Sequence, residues 1–179
     1  MKKLLFMALF AVMALTANAQ RGKFTVWYGL NVSDLYSDDD LNTSSELKPL
    51  NFGVDYTGAI KNNFFWTVGG SYQTKGCEDW DPGVLQVEGN ISYNFVHNSP
   101  FKLGVFLGPY MHIVVAKDDD DFGPHDGSVK TFGAGVQTGL VANYKAIQLK
   151  AGYEHGGVDI LKHADSKPCQ FFFRIGYNF

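Results

Sequence analysis

From Lys23 to the C-terminus, hydrophobic and polar residues alternate in steps of two, the period of a strand with one apolar face. In the first segment, Lys23 to Asp34, Phe24, Val26, Tyr28, Leu30 and Val32 oppose Thr25, Trp27, Gly29, Asn31 and Ser33. Seven more segments follow, at about Leu50 to Ala59, Phe64 to Lys75, Val84 to Val96, Phe101 to Lys117, Lys130 to Ala142, Ala146 to His155 and Gln170 to Phe179. The pattern predicts eight strands, each of about 10 residues or more, enough for a tilted strand to cross a bilayer core. It predicts an all-β fold: an eight-stranded, antiparallel, up-and-down transmembrane β-barrel with both chain ends on one side.

The connections alternate in length. Ile60 to Asn63, His97 to Pro100 and Asn143 to Lys145 are short. Leu35 to Pro49, Gly76 to Gly83, Asp118 to Val129 and Gly156 to Pro168 are long. Short turns at one end and long loops at the other are the habit of outer-membrane barrels. Aromatics gather at strand ends (Phe24, Tyr56, Phe64, Tyr72, Tyr93, Phe95, Phe101, Tyr153, Tyr177, Phe179), which predicts two girdles at the headgroup levels.

Charge sharpens the assignment of faces. Asp55, Glu88, Lys102, Lys150, Glu154 and Arg174 fall in phase with the polar face of their segments. A charge facing lipid costs roughly 2–4 kcal/mol at the midplane, so these six belong inside. Eight strands leave a bore just filled by side chains. Three acids against three bases therefore predict an interior polar network rather than a conduit. Without Lys2 and Lys3, the 15 basic residues fall to 13 against 18 acidic ones, a formal charge of −5. That balance argues against nucleic acid as a partner.

The first residues read as an export signal. Lys2 and Lys3 precede the apolar run Leu4 to Leu15, and Ala17-Asn18-Ala19 matches a small-x-small cleavage site. Residues 1–19 are expected to be removed, leaving one barrel domain over 20–179 in the outer membrane.

Within the last segment, Phe171, Phe173, Ile175, Tyr177 and the terminal Phe179 resemble the closing strand of bacterial outer-membrane proteins. Gly29-Leu30-Asn31-Val32 resembles the opening strand of PorT-like barrels, and the whole plan is similar to small OmpA- or OmpX-like barrels. The resemblance implies that the last strand is the signal read by the barrel-insertion machinery, and that outer-membrane lipid is the surrounding partner. It implies no catalytic residue and no cofactor.

Other chemistry has plainer alternatives. Fourteen of the 18 acidic residues lie in the predicted loops, among them Asp38 to Asp40, Glu46 and Asp118 to Asp121. These loops are candidates for divalent cations, although like-charge runs more often stay solvated. Cys77 and Cys169 both fall at the long-loop end, where an exported chain permits either a disulfide or two thiols. His155, beside Glu154, is the candidate if the barrel hydrolyses lipid, but no G-x-S-x-G elbow accompanies it. No His or Cys pair has zinc-ligand spacing. The expected function is that of a monomeric, non-enzymatic surface barrel whose acidic loops serve membrane integrity, adhesion or ligand contact. The alternatives are a lipid-modifying hydrolase and a soluble lipocalin-like barrel with its apolar face inward.

Overall fold

The computed structural model describes residues 22–37, 46–75, 82–96, 100–116, 131–157 and 166–179, without the side chains of 34–37, 46 and 166–168. The strands are β1 (Lys23–Ser37), β2 (Glu46–Lys61), β3 (Phe64–Thr74), β4 (Gly83–Val96), β5 (Phe101–Ala116), β6 (Phe132–Tyr144), β7 (Ile147–Gly156) and β8 (Ser166–Asn178). Each pairs antiparallel with its sequence neighbour, and β1 also pairs with β8, closing the barrel. Closure matters because an open edge would leave backbone donors and acceptors unpaired where no water can reach them.

The alternation decides the faces as expected. Val54, Val87, Ile91, Leu107, Met111, Val136, Leu140, Phe173 and Ile175 all stand outward, each about half exposed. Thr25, Asn51, Asp55, Gln86, Glu88, Gln137, Glu154 and Arg174 face inward and are almost wholly buried. An inverted, ligand-holding barrel would require the opposite parity. The aromatics meet in cross-strand pairs at both ends. Toward the short turns Phe24 packs on Tyr56 at 4.9 Å and Phe64 on Tyr93 at 4.9 Å; toward the long loops Tyr153 packs on Phe171 at 4.8 Å.

The tight turns show why they can be short. Asn62 (φ 51°) and Lys145 (φ 54°) take the left-handed conformation that reverses a strand in two residues. Asn accepts it readily, while Lys145 adopts it at some strain.

Two expectations need correction. The ladder continues past the apolar belt at the long-loop end, where β1 pairs with β8 out to Ser37↔Ser166. The first long loop is therefore shorter than the alternation implied, and Glu46 belongs to β2 rather than to a loop. At its other end, β6 runs on to Tyr144, leaving only Lys145 and Ala146 as the turn. Strand pairing is a backbone property, so it outlasts the side-chain alternation that announces it.

β2 also carries a bulge. Gly29 pairs with Asn51 but Asn31 with Lys48, so β2 carries one extra residue, at Pro49–Leu50. Proline has no N–H to give the ladder, so it is well placed at such an irregularity. Strict alternation with Leu50 and Phe52 would point Lys48 at lipid. The extra residue turns it inward, where it is 2% exposed. The Asn51 side-chain amide donates to the Lys48 carbonyl at 2.7 Å and ties the bulge down.

Candidate functional site

The bore is closed at mid-height by one connected ionic cluster. Its centre is Arg174 on β8. Trp27 and Phe172 lie on either side of the guanidinium, each ring centre 4.2 Å away. Arg174 Nη1 donates to Glu88 Oε1 and Oε2 at 3.0 and 2.9 Å, and Nη2 donates to Glu154 Oε1 at 3.2 Å. Lys150 Nζ donates to Glu88 Oε1 at 2.7 Å and stands 4.0 Å from Asp55 Oδ2. Trp27 Nε1 donates to Asp55 Oδ1 at 3.0 Å.

Glu154 anchors the half of the cluster nearer the long loops. It accepts from Lys75 Nζ at 2.7 Å, Gln170 Nε2 at 2.6 Å and Gln86 Nε2 at 2.9 Å, besides Arg174. Amides continue the network upward. Asn31 Nδ2 donates to Asn51 Oδ1 and to Gln73 Oε1, both at 3.1 Å. Downward, Gln137 donates to Asn90 Oδ1 at 3.0 Å, and Asn90 donates to Glu88 Oε1 at 3.2 Å.

Of the six predicted interior charges, five are brought together: Asp55, Glu88, Lys150, Glu154 and Arg174. Lys102 is not among them. It lies near the short-turn end, its Nζ 6.0 Å from the Phe65 ring centre. Lys75 takes its place as the third base, lying over Tyr110 at 4.3 Å. Lys75 was legible as in phase with the inward residues of β3. What alternation could not supply is its height in the bore and the partner across it.

Desolvating this many charges is costly, and their attraction offsets that cost only when geometry is good and the remaining donors and acceptors are satisfied. Glu88 and Glu154 meet that condition. Several groups do not: among the described residues, Asn31 Oδ1, Gln86 Oε1, His112 Nδ1, Gln137 Oε1 and Arg174 Nε have no hydrogen-bond partner.

At the long-loop rim, His155 and Cys169 are cross-strand partners on the outer face. Cys169 is buried, with its Sγ 3.3 Å from His155 Nδ1. Cys77, its candidate disulfide partner, lies outside the described residues, as do Asp38 to Asp40, Asp118 to Asp121, His97, His125 and His163. Glu154 faces the bore and His155 the outer face, so the two adjacent side chains point apart. No cluster of His, Cys, Asp or Glu among the described residues is arranged to hold a metal. In the closing strand, Phe171, Phe173, Ile175, Tyr177 and Phe179 form one outward row, from 49% to 75% exposed.

No family model and no curated protein matches the chain. Solved structures do. The chain superposes on neisserial surface protein A with a TM-score of 0.51 at 20% identity, covering 87% of this chain and 97% of that one. The N-terminal barrel domain of Pseudomonas aeruginosa OprF gives 0.50 at 11%, covering 89% and 100%. The outer-membrane enzyme PagL gives 0.55 at 13%, covering 84% and 97%.

The fold is that of the small outer-membrane barrels. At these identities the likeness concerns the barrel alone. It spans both proteins that carry no enzyme in their names and one that does, so the barrel by itself selects no activity.

Proposed function

We propose that the chain is a non-enzymatic outer-membrane barrel that holds acidic loops at the cell surface. One contrast carries the reading. Outside, an apolar surface suits lipid; inside, a nearly neutral ionic cluster crosses the bore at mid-height. Such a body is an anchor, and the variable chemistry is left to the long loops. The aspartate runs Asp38 to Asp40 and Asp118 to Asp121 then serve membrane integrity, adhesion or partner contact, with divalent cations as bridging ligands. Export by residues 1–19, recognition of the Phe171 to Phe179 row by the insertion machinery, and a monomeric state complete the proposal.

The hydrolase reading has less support. Among the described residues, His155 Nδ1 lies against the Cys169 thiol, and the neighbouring carboxylate points away. The test is fractionation combined with gel migration of unheated against boiled protein. Outer-membrane recovery with a heat-dependent shift is expected. A soluble periplasmic protein with no shift would overturn the membrane assignment. Phospholipid or glycolipid hydrolysis that disappears in His155→Ala would overturn the non-enzymatic one.

A further inference from the structure

Below the ionic cluster the bore opens into a cavity of about 250 Å³. Its walls come from the short-turn ends of the strands, where Lys23, Phe65, Lys102, Gln148 and Asn178 lie within two residues of a strand terminus. Its ceiling is Asp55 and Lys150. The cavity is therefore a vestibule that opens at the end carrying the short turns.

Much of its polar lining is already used. Thr57 and Thr67 bond each other at 2.9 Å, and Asn143 Oδ1 accepts from Gln148 and Asn178 at 3.3 and 3.2 Å. A second group is not used. Ser92 and Asn94 are 8% and 6% exposed, yet their side chains make no hydrogen bond among the described residues. Lys102 and Lys23 have no acidic partner there either. These groups are neighbours by register. Asn94 pairs with Gly104 and Ser92 with Phe106, which places Lys102 diagonally beside Asn94. Gly104 matters here: a Cβ at that position would lie 2.4 Å from Asn94 Oδ1 and push the amide aside. Phe65, paired with Ser92 from β3, contributes a ring face beneath the Lys102 ammonium.

We propose that this vestibule is a binding site for a small anionic, hydroxyl-bearing molecule of sugar-acid type, entering from the short-turn end. Two unpaired ammonium groups favour an anion, since a cation there would meet only Asp55, already engaged by Trp27 and facing Lys150. An uncommitted hydroxyl and carboxamide suit ligand hydroxyls, and the Phe65 face suits the apolar side of a ring. The volume lies below the roughly 300–1,000 Å³ of pockets for drug-sized ligands, which limits the occupant to a single small ring. The ionic cluster above bars passage, so the site captures rather than conducts. The inference is independent of the loop reading and stands or falls without it.

The experiment is a titration of the full mature protein in lipid nanodiscs, followed by amide and side-chain NMR shifts. The probes are glucuronate, glucose and inorganic phosphate. Glucuronate is expected to shift Ser92, Asn94 and Lys102 saturably, with glucose at least about tenfold weaker, the worth of one charge-assisted hydrogen bond. Lys102→Gln should weaken glucuronate by a similar factor while leaving heat-dependent gel migration unchanged. Lack of saturable shifts with glucuronate would overturn the site, as would shifts indifferent to Lys102→Gln. Phosphate binding as tightly as glucuronate would overturn the sugar-acid assignment and leave a bare anion site.

Discussion

Glu154 is the most informative residue to remove. It is fully buried and accepts from four donors, Lys75, Arg174, Gln86 and Gln170, all within 3.2 Å. Glu154→Ala deletes those contacts and leaves Lys75 without its carboxylate and Arg174 with only Glu88. Breaking a buried pair by removing one partner costs about 3–5 kcal/mol, because the remaining charge is stranded. At about 1.4 kcal/mol per factor of ten, the folded-to-unfolded ratio should fall by two to three powers of ten or somewhat more. Glu154→Gln keeps an acceptor but loses the charge, and should cost less, roughly 1.5–3 kcal/mol. Adding Lys75→Met to Glu154→Ala rebalances the bore, and the pair should show a favourable coupling of about 0.5–3 kcal/mol. The assay is urea titration of the slow- and fast-migrating gel species after equilibration with lipid vesicles. A loss below about 1 kcal/mol for Glu154→Ala, with no coupling to Lys75→Met, would refute the reasoning. It would mean that interior water solvates these charges well enough to make their pairing unimportant.

Two further predictions use the same titration. Leu107 stands outward near the middle of β5 and is 62% exposed, so Leu107→Arg should cost about 2–4 kcal/mol in lipid; a neutral result would contradict a membrane-embedded belt. At Gly108 a Cβ would lie 1.9 Å from the Gly89 carbonyl oxygen, so Gly108→Ala must push β4 and β5 apart, at about 1–3 kcal/mol. At Gly89 a Cβ meets nothing within 4 Å, so Gly89→Ala should stay within about 0.5 kcal/mol; equal effects at the two glycines would sink the argument from close approach.

The alternation of residues, by itself, determined the strand count, the antiparallel order and which face meets lipid. It could do so because a two-residue period allows only two assignments, and lipid strongly disfavours the one that exposes charge. It also identified Asp55, Glu88, Lys150, Glu154 and Arg174 as inward residues. It did not determine which charges meet. That depends on how far each strand is staggered around the closed barrel, a property of the whole sheet that no single segment carries. Hence Lys102, equally inward by phase, ends at the short-turn mouth, while Lys75, just past the far end of β3, reaches Glu154. Lys48 makes the same point through the backbone. Its phase points to lipid, and only the extra residue at Pro49–Leu50, visible once β1 and β2 are paired, turns it into the bore.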